Sequence, residues 1–402
     1  MLPSWALRVA AAVAVALSSI ALRLLSVGLG PVASAVAYGA AVVASAFLLA
    51  WAAEAAQVDV SASLAVAVLA LVAVLPEYAV DLYFAFSAGR RPEYAQYAAA
   101  NMTGSNRLLI GLGWPMVAFV FAVSARRRKV GTLTLQLEPR RRVELGYLAM
   151  AGVYAFVIPL SRRLSLVDAC VLLGIFVAYG LRVAKEERTE PCLVGVAASL
   201  AAPPAWRRRG VVAGLFIVAA AAVLAAAKPF ADSLVQTGEL LGIDEFLLVQ
   251  WVAPLASEAP EMIVAALFAS RCNCDAGIGT LLSSKVNQWT LLVGCLPVAY
   301  FVGGGGAHLH LDARQNAEFF LTAAQTALGI AFFVDLRFRP REAVALLLLF
   351  SLQLPFPQQE MRIAFAVLYL VLAGFILARH RAHLAAVLLA TVARRERRVS
   401  GD

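Results

Sequence analysis

Apolar residues in this chain come in long uninterrupted runs, not in the alternation of half-buried strands or the one-sided stripe of surface helices. Runs of the length a bilayer requires lie near 5–29, 31–54, 61–88, 95–124, 143–160, 166–184, 210–232, 243–270, 276–302, 316–335, 342–354 and 361–379. The eleventh is short for a span. The pattern predicts an all-α polytopic membrane protein of about twelve spans. The first run is interrupted by Arg23 and no clear cleavage site follows it, so it reads as a transmembrane helix and not a signal peptide. The stretch GTLTLQL (131–137) alternates like a short strand and is expected to be a hairpin arm at the inner membrane surface.

The polar segments between the runs carry a charge bias. With both termini inside, the inside loops hold the basic clusters at 126–142, 182–209, 336–342 and the C-terminal tail. The outside loops hold mainly Arg90, Arg91, Arg162, Arg163, Arg314 and Arg362. This bias places the N- and C-termini in the cytoplasm. Segment 185–209 is polar and then proline-rich, and reads as a cytoplasmic linker. The chain then divides into an extra N-terminal span (1–30), a first half (31–184), the linker (185–209), a second half (210–356) and an extra C-terminal span with a basic tail (357–402).

Composition narrows the classes. Hydrophobic residues are 62% and charged residues 15%, with a mean hydropathy of +0.80, which excludes a soluble globule. The net charge of +9 sits in the loop clusters, so nucleic acid is not an expected partner; small cations and the lipid bilayer are. Five cysteines form no disulfide framework. Cys272 and Cys274 are too closely spaced for the usual zinc pattern and read as free thiols in a loop. His308 and His310 read as part of a flexible exposed loop, and His380 and His383 as part of the tail. No cofactor is called for.

Two segments repeat. LPEYAVDLYFA (75–85) aligns with APEMIVAALFA (259–269), matching Pro76 with Pro260, Glu77 with Glu261, and Phe84-Ala85 with Phe268-Ala269. Each is followed by a small-polar stretch, ANMTGSNRLLIGLG (100–113) and GTLLSSKVNQWTLLVG (279–294). The alignment sets Gly104-Ser105-Asn106 on Ser283-Ser284-Lys285. The copies occupy spans three and eight, an odd number of crossings apart, so they run in opposite directions. That is an inverted repeat, an architecture of secondary transporters.

The acids need an explanation, because a charged residue at mid-bilayer costs about 2.5–3.5 kcal/mol on insertion scales. Pro76 and Pro260 are expected to break their helices and free backbone carbonyls, which survives in lipid only where protein or a water-filled cavity satisfies them. Glu77 and Glu261, facing each other beside such breaks, would make a mid-membrane cation site. Its hard oxygens suit Ca²⁺, Na⁺ or H⁺. Asp81 lies one helical turn from Glu77, as a further acid or at the cavity mouth. Glu258 shares a helix face with Glu261 and serves either as an ion-pair partner of Lys285 or in transport. Lys228 reads as a snorkelling helix-end residue. Asp244 and Glu245 read as an acidic helix start, and Asp168 and Asp335 as solvated span ends.

The two motif pairs resemble the alpha repeats of the calcium/cation antiporter superfamily, the sodium/calcium exchanger membrane domain. The resemblance covers about residues 70–115 and 250–300. It implies a core of two inverted five-helix halves, here spans two to eleven, with one extra span at each end. It also implies that Glu77, Glu261, Ser105, Ser284, Ser257 and Asn106 coordinate the transported ion. The chain departs from the pattern at Ala73-Val74, where the family has Thr-Ser. It has Glu258 for Ser, Lys285 for Asn, and Leu109 and Gln288 where Asn or Asp is usual. Lys285 is expected to pair with Glu258 and to fill part of the space of a bound sodium ion.

The expected function is secondary antiport of a cation (Ca²⁺, Na⁺ or related) against Na⁺ or H⁺ by alternating access. A membrane enzyme would need an aspartyl pair of GxGD type, a nucleophilic serine in a glycine-rich motif, or an HExxH helix; none is present. The alternative is a transport-inactive receptor or scaffold on an antiporter-like fold, motivated by the missing oxygen donors.

Overall fold

A computed structural model describes residues 3–59, 75–184 and 193–392. The first part of the third expected span, with Ala73-Val74, lies outside the described residues, as do the start of the linker and the end of the tail.

The first half begins with α1 (Ser4–Leu24) and α2 (Pro31–Ala56). Then come α3 (Leu75–Ala88) and α4 (Ala95–Leu108), which runs through one π-helical turn (Leu109–Gly113) into α5 (Trp114–Arg127). Strand β1 (Leu135–Gln136), α6 (Arg141–Tyr154), α7 (Val157–Ser161), β2 (Arg163–Ser165) and α8 (Leu166–Val183) complete it. The short α9 (Gly195–Ala201) precedes α10 (Ala205–Leu241) and α11 (Glu245–Ser270). Helix α12 (Cys274–Asn287) passes through a second π-helical turn (Gln288–Leu292) into α13 (Val293–Val302). The order ends with β3 (His308–His310), α14 (Ala313–Phe333), β4 (Arg337–Phe338), α15 (Pro340–Gln353), α16 (Gln359–Arg379) and α17 (Arg381–Val392).

Among the described residues, eight helices are long and apolar enough to cross a bilayer. The remaining expected spans are helical too, at α3, α12–α13, α14 and α15. The fold is an inverted-repeat, all-α membrane protein. The two π turns fall at matching places in the two copies, and each widens its helix by one residue per turn.

Two small ribbons tie the halves together. β1 pairs antiparallel with β4, setting Leu135 opposite Phe338, and β2 pairs antiparallel with β3, setting Leu164 opposite Leu309. The alternating stretch 131–137 is therefore no hairpin arm: its partner strand comes from the other half. His308 and His310 are strand residues in the second ribbon, not a flexible loop. Each ribbon caps one end of the helix bundle.

The described part of the expected linker is largely helical, and α10 starts at Ala205. At 37 residues α10 is about 55 Å long, well beyond the hydrocarbon thickness. Its early turns meet the end of α2, where Arg208 grips Asp59 at 2.6 Å and 2.7 Å. That fork holds the Asp59 carboxyl below the usual range.

Helices α2 and α10 pack most extensively on each other. Near the β1–β4 end they share a separate apolar core with α1 and α9, built from residues such as Leu48, Leu49, Leu215 and Val223. Near the β2–β3 end their residues Tyr38, Val42, Phe230 and Leu234 join the main core instead. The α2–α10 pair is thus packed into the bundle at one end and stands off it at the other.

Candidate functional site

Four helix segments meet at the centre: α3 and α11 carry the Pro-Glu motifs, and α4 and α12 carry the small-polar ones. Close approach of α4 to α11 depends on Gly104, where an added Cβ would lie 1.8 Å from the Gln250 carbonyl oxygen. Only glycine lets the two backbones touch there.

Glu77 and Glu258 are buried, with 3% and 1% exposure, and their carboxyls face one another. Asp81 and Glu261 also act on Glu77 through space. Asp81 is beside Asn101, and Glu261 beside Ser284. Gln288 donates from Nε2 to Glu258 Oε1 at 2.5 Å. The Ser257 hydroxyl donates back to the Ala253 and Pro254 carbonyls at 3.3 Å, leaving its lone pairs free. Among the described residues, several buried oxygens find no hydrogen-bond partner: Glu77 Oε1, both Asp81 oxygens, Ser105 Oγ, Glu258 Oε2, Glu261 Oε2, Ser284 Oγ and Gln288 Oε1. Protein interiors rarely leave such atoms unpaired. Carboxylate, hydroxyl and amide oxygens are the donor types that hard cations prefer.

Lys285 is fully buried. Its ammonium does not pair with Glu258. It donates to the Asn106 backbone carbonyl at 2.6 Å and to Asn106 Oδ1 at 2.7 Å, while Glu258 is engaged by Gln288. Asn106 in turn donates from Nδ2 to the Met102 carbonyl at 3.0 Å. The expected Glu258–Lys285 ion pair is thus replaced by a Lys285–Asn106 contact, because two oxygens of Asn106 lie within the reach of one ammonium.

Pro260 does not break its helix either. α11 continues through Pro254 and Pro260, losing single backbone hydrogen bonds without a gap. Pro76 sits in the first turn of α3, at the edge of the described residues.

A cavity of about 590 Å³ reaches the site from the β1–β4 end. Ser257, Pro260 and Glu261 of α11 and Ala46, Ala50 and Glu54 of α2 are among the residues that line it. Its mouth carries Arg141, which binds Asp275 at 2.9 Å and Glu144 at 2.8 Å. At the opposite end, Asp232 of α10 accepts from the hydroxyls of Tyr83 and Tyr94 and pairs with Lys228 at 2.5 Å. Lys228 is thus a network member as well as a helix-side cation.

Other expectations resolve simply. Asp244 caps α11, accepts from Phe246 N at 3.0 Å and pairs with Arg314. Asp168 completes a capping box with Ser165, and Asp335 pairs with Arg339. Cys274 opens α12, and its thiol contacts the Gln136 carbonyl. Arg362 is no loop residue: it is buried and binds Glu318 at 3.1 Å, and Glu318 also binds Arg107 at 2.6 Å. The sequence reading missed this triad. The available signal was Arg107 itself, an intramembrane charge directly after the Gly-Ser-Asn motif.

The sodium/calcium exchanger protein family model matches residues 29–184 and 211–357. The crystal structure of the H⁺/Ca²⁺ exchanger CAX superposes with a TM-score of 0.91 at 40% identity, covering 96% of this chain and 97% of that one. YfkE (TM-score 0.62, 17% identity, 90% and 99% covered) and the sodium-calcium exchanger NCX_Mj (0.52, 18%, 86% and 100%) share the fold. No curated protein sequence matches significantly. With the repeat, the fold and the family match in agreement, the chain belongs to the sodium/calcium exchanger protein family.

Proposed function

We propose that the chain is a secondary cation antiporter that works by alternating access. Glu77, Glu261, Ser105, Ser257 and Ser284 take the ion, Glu258 and Asp81 add further acids, and Asn106, expected from the resemblance to join them, instead holds Lys285 beside the site. The observation that carries the reading is the set of buried oxygens, unpartnered among the described residues, where the two repeats meet, one of whose residues, Glu261, lines an open cavity. Carboxylates and hydroxyls select hard cations, with Ca²⁺ favoured by several acids at one point. The 40%-identical neighbour is an H⁺/Ca²⁺ exchanger, which makes Ca²⁺ against H⁺ the first pair to test.

The cavity opens on the face that the charge bias assigns to the cytoplasm. Movement of the α2–α10 pair against the rest of the bundle would close this mouth and part the Asp232 network at the other end. Ion binding stabilises whichever arrangement brings its oxygens together, so differential binding biases the exchange.

The test is Ca²⁺ flux in proteoliposomes under an imposed proton or sodium gradient. Glu77→Gln and Glu261→Gln are expected to abolish flux in protein that remains inserted and folded. Unchanged flux in both would refute the site. No flux in the parent under any gradient would leave the transport-inactive alternative.

A further inference from the structure

Asn106 and Lys285 hold corresponding places in the two repeats, 179 residues apart, and they touch. The same offset relates the two π turns, Leu109–Gly113 and Gln288–Leu292. The contact therefore lies where the two copies cross. An inverted repeat with like residues at this crossing would present two polar acceptors to whatever lies between them. This chain instead presents one acceptor side chain and one ammonium.

We propose that the Lys285 ammonium is a built-in cation, permanently seated in the site, so that the chain carries one metal ion at a time. This deepens the antiporter reading and rests on it. The seat is well made: two oxygens of one residue accept at 2.6 Å and 2.7 Å, the short distances of charge-assisted bonds. The Trp289 ring lies 5.6 Å from the ammonium. Lysine is fully buried here and cannot snorkel to water. An unpaired buried ammonium is strongly unfavourable, and among the described residues no carboxylate lies within salt-bridge distance of Lys285, although Glu258 and Glu77 attract it through space. That attraction is spread over two acids and not consumed by one partner, as a bound metal ion's would be.

The seat changes the cycle. Glu77, Glu258, Asp81 and Glu261 act on one another through space and, when ionised with no ion bound, repel. A tethered positive charge offsets part of that repulsion in the unloaded carrier, while its bonds to Asn106 keep it from leaving. It also denies the crossing point to a second, monovalent ion.

Equilibrium ⁴⁵Ca²⁺ binding to the purified parent is expected to saturate at one ion per chain. Thermal unfolding of the parent should respond equally to NaCl and choline chloride. In Lys285→Gln, which keeps a donor but loses the charge, NaCl should give a saturable rise in Tm of several degrees over choline chloride. The charge moved per cycle, read from the reversal potential in proteoliposomes, should increase by one. Lys285→Arg should behave as the parent in both measurements. Two calcium ions per parent chain, or the same sodium response in the parent and Lys285→Gln, would overturn the proposal. The parent stoichiometry decides the matter even where the Gln variant does not fold. The two failures are distinct. Calcium binding that survives both Glu77→Gln and Glu261→Gln sinks the site itself, whereas two ions per parent chain, with both Gln variants silent, sinks the seat alone.

Discussion

Asp232 on α10 accepts a 2.7 Å hydrogen bond from the Tyr83 hydroxyl on α3. Tyr94 donates to the same oxygen at 3.0 Å. A charged acceptor strengthens both bonds by about 1 kcal/mol over a neutral one. Asp232→Asn loses about 2 kcal/mol over the two bonds and should therefore shift the balance between the sealed and parted arrangements roughly thirtyfold. Amide hydrogen exchange over residues 224–236, measured in reconstituted protein, is expected to rise by about that factor. Exchange equal to the parent's would show that the hub does not hold this end shut.

Gly104→Ala is expected to be severe. The new methyl meets the Gln250 carbonyl at 1.8 Å, and that atom belongs to backbone. The helices must separate, at a cost of roughly 1–3 kcal/mol or more. Gly174 on α8 provides the control, since an added Cβ there meets nothing within 4 Å. Thermal unfolding in detergent should show a fall of several degrees for the first variant and none for the second.

The triad of Arg107, Glu318 and Arg362 fixes α4 to α14 and α16. Glu318→Gln leaves two buried guanidiniums without a counter-charge, a loss of about 3–5 kcal/mol. Little folded protein is expected from this variant, as judged by gel filtration. Triple replacement by Met, Leu and Met should recover much of the yield, because it removes the charges together.

Asp59 ties the end of α2 to the start of α10. A carboxyl held low contributes stability that is present above its unfolded pKa of about 3.9 and is lost as pH falls through its lower folded value. The tie is at full strength near neutrality and fails only in strong acid. Below about pH 4 the parent's Tm should drop more steeply than that of Asp59→Asn. Parallel curves would show that this pair does not contribute.

Orientation is open to labelling. Cysteines placed at Arg90 and Arg271 should react with impermeant reagents from opposite sides, Arg90 from outside and Arg271 from inside. Labelling of both from one side would contradict the arrangement assigned from the loop charges.

Much of the fold was legible because burial in lipid leaves few options for the backbone. Apolar runs marked the spans, and the shared Pro-Glu and small-polar stretches marked the repeat. Contacts between side chains were less legible. Spacing placed Lys285 and Glu258 near the centre but did not show that a backbone carbonyl of Asn106 would lie nearer to the ammonium. Gln288, read only as a departure from the family pattern, turned out to occupy Glu258. Pro260 was read as a break, although a long helix can give up one hydrogen bond and continue. Arg107 escaped notice, and Arg362 was read as an outer loop charge, because a single arginine barely dents the hydropathy of a span or its flank.

The ribbons have a consequence for how such a chain is assembled. β1 and β3 each follow the π-bearing helix of their half, and β2 and β4 each follow the next one. Each ribbon joins the first kind of strand to the second kind. A single half, inserted once in each orientation, already contains both kinds, and two such copies would stitch themselves together at both faces of the membrane. Joining them into one polypeptide fixes one copy of each orientation at a ratio that separate chains would have to reach by chance.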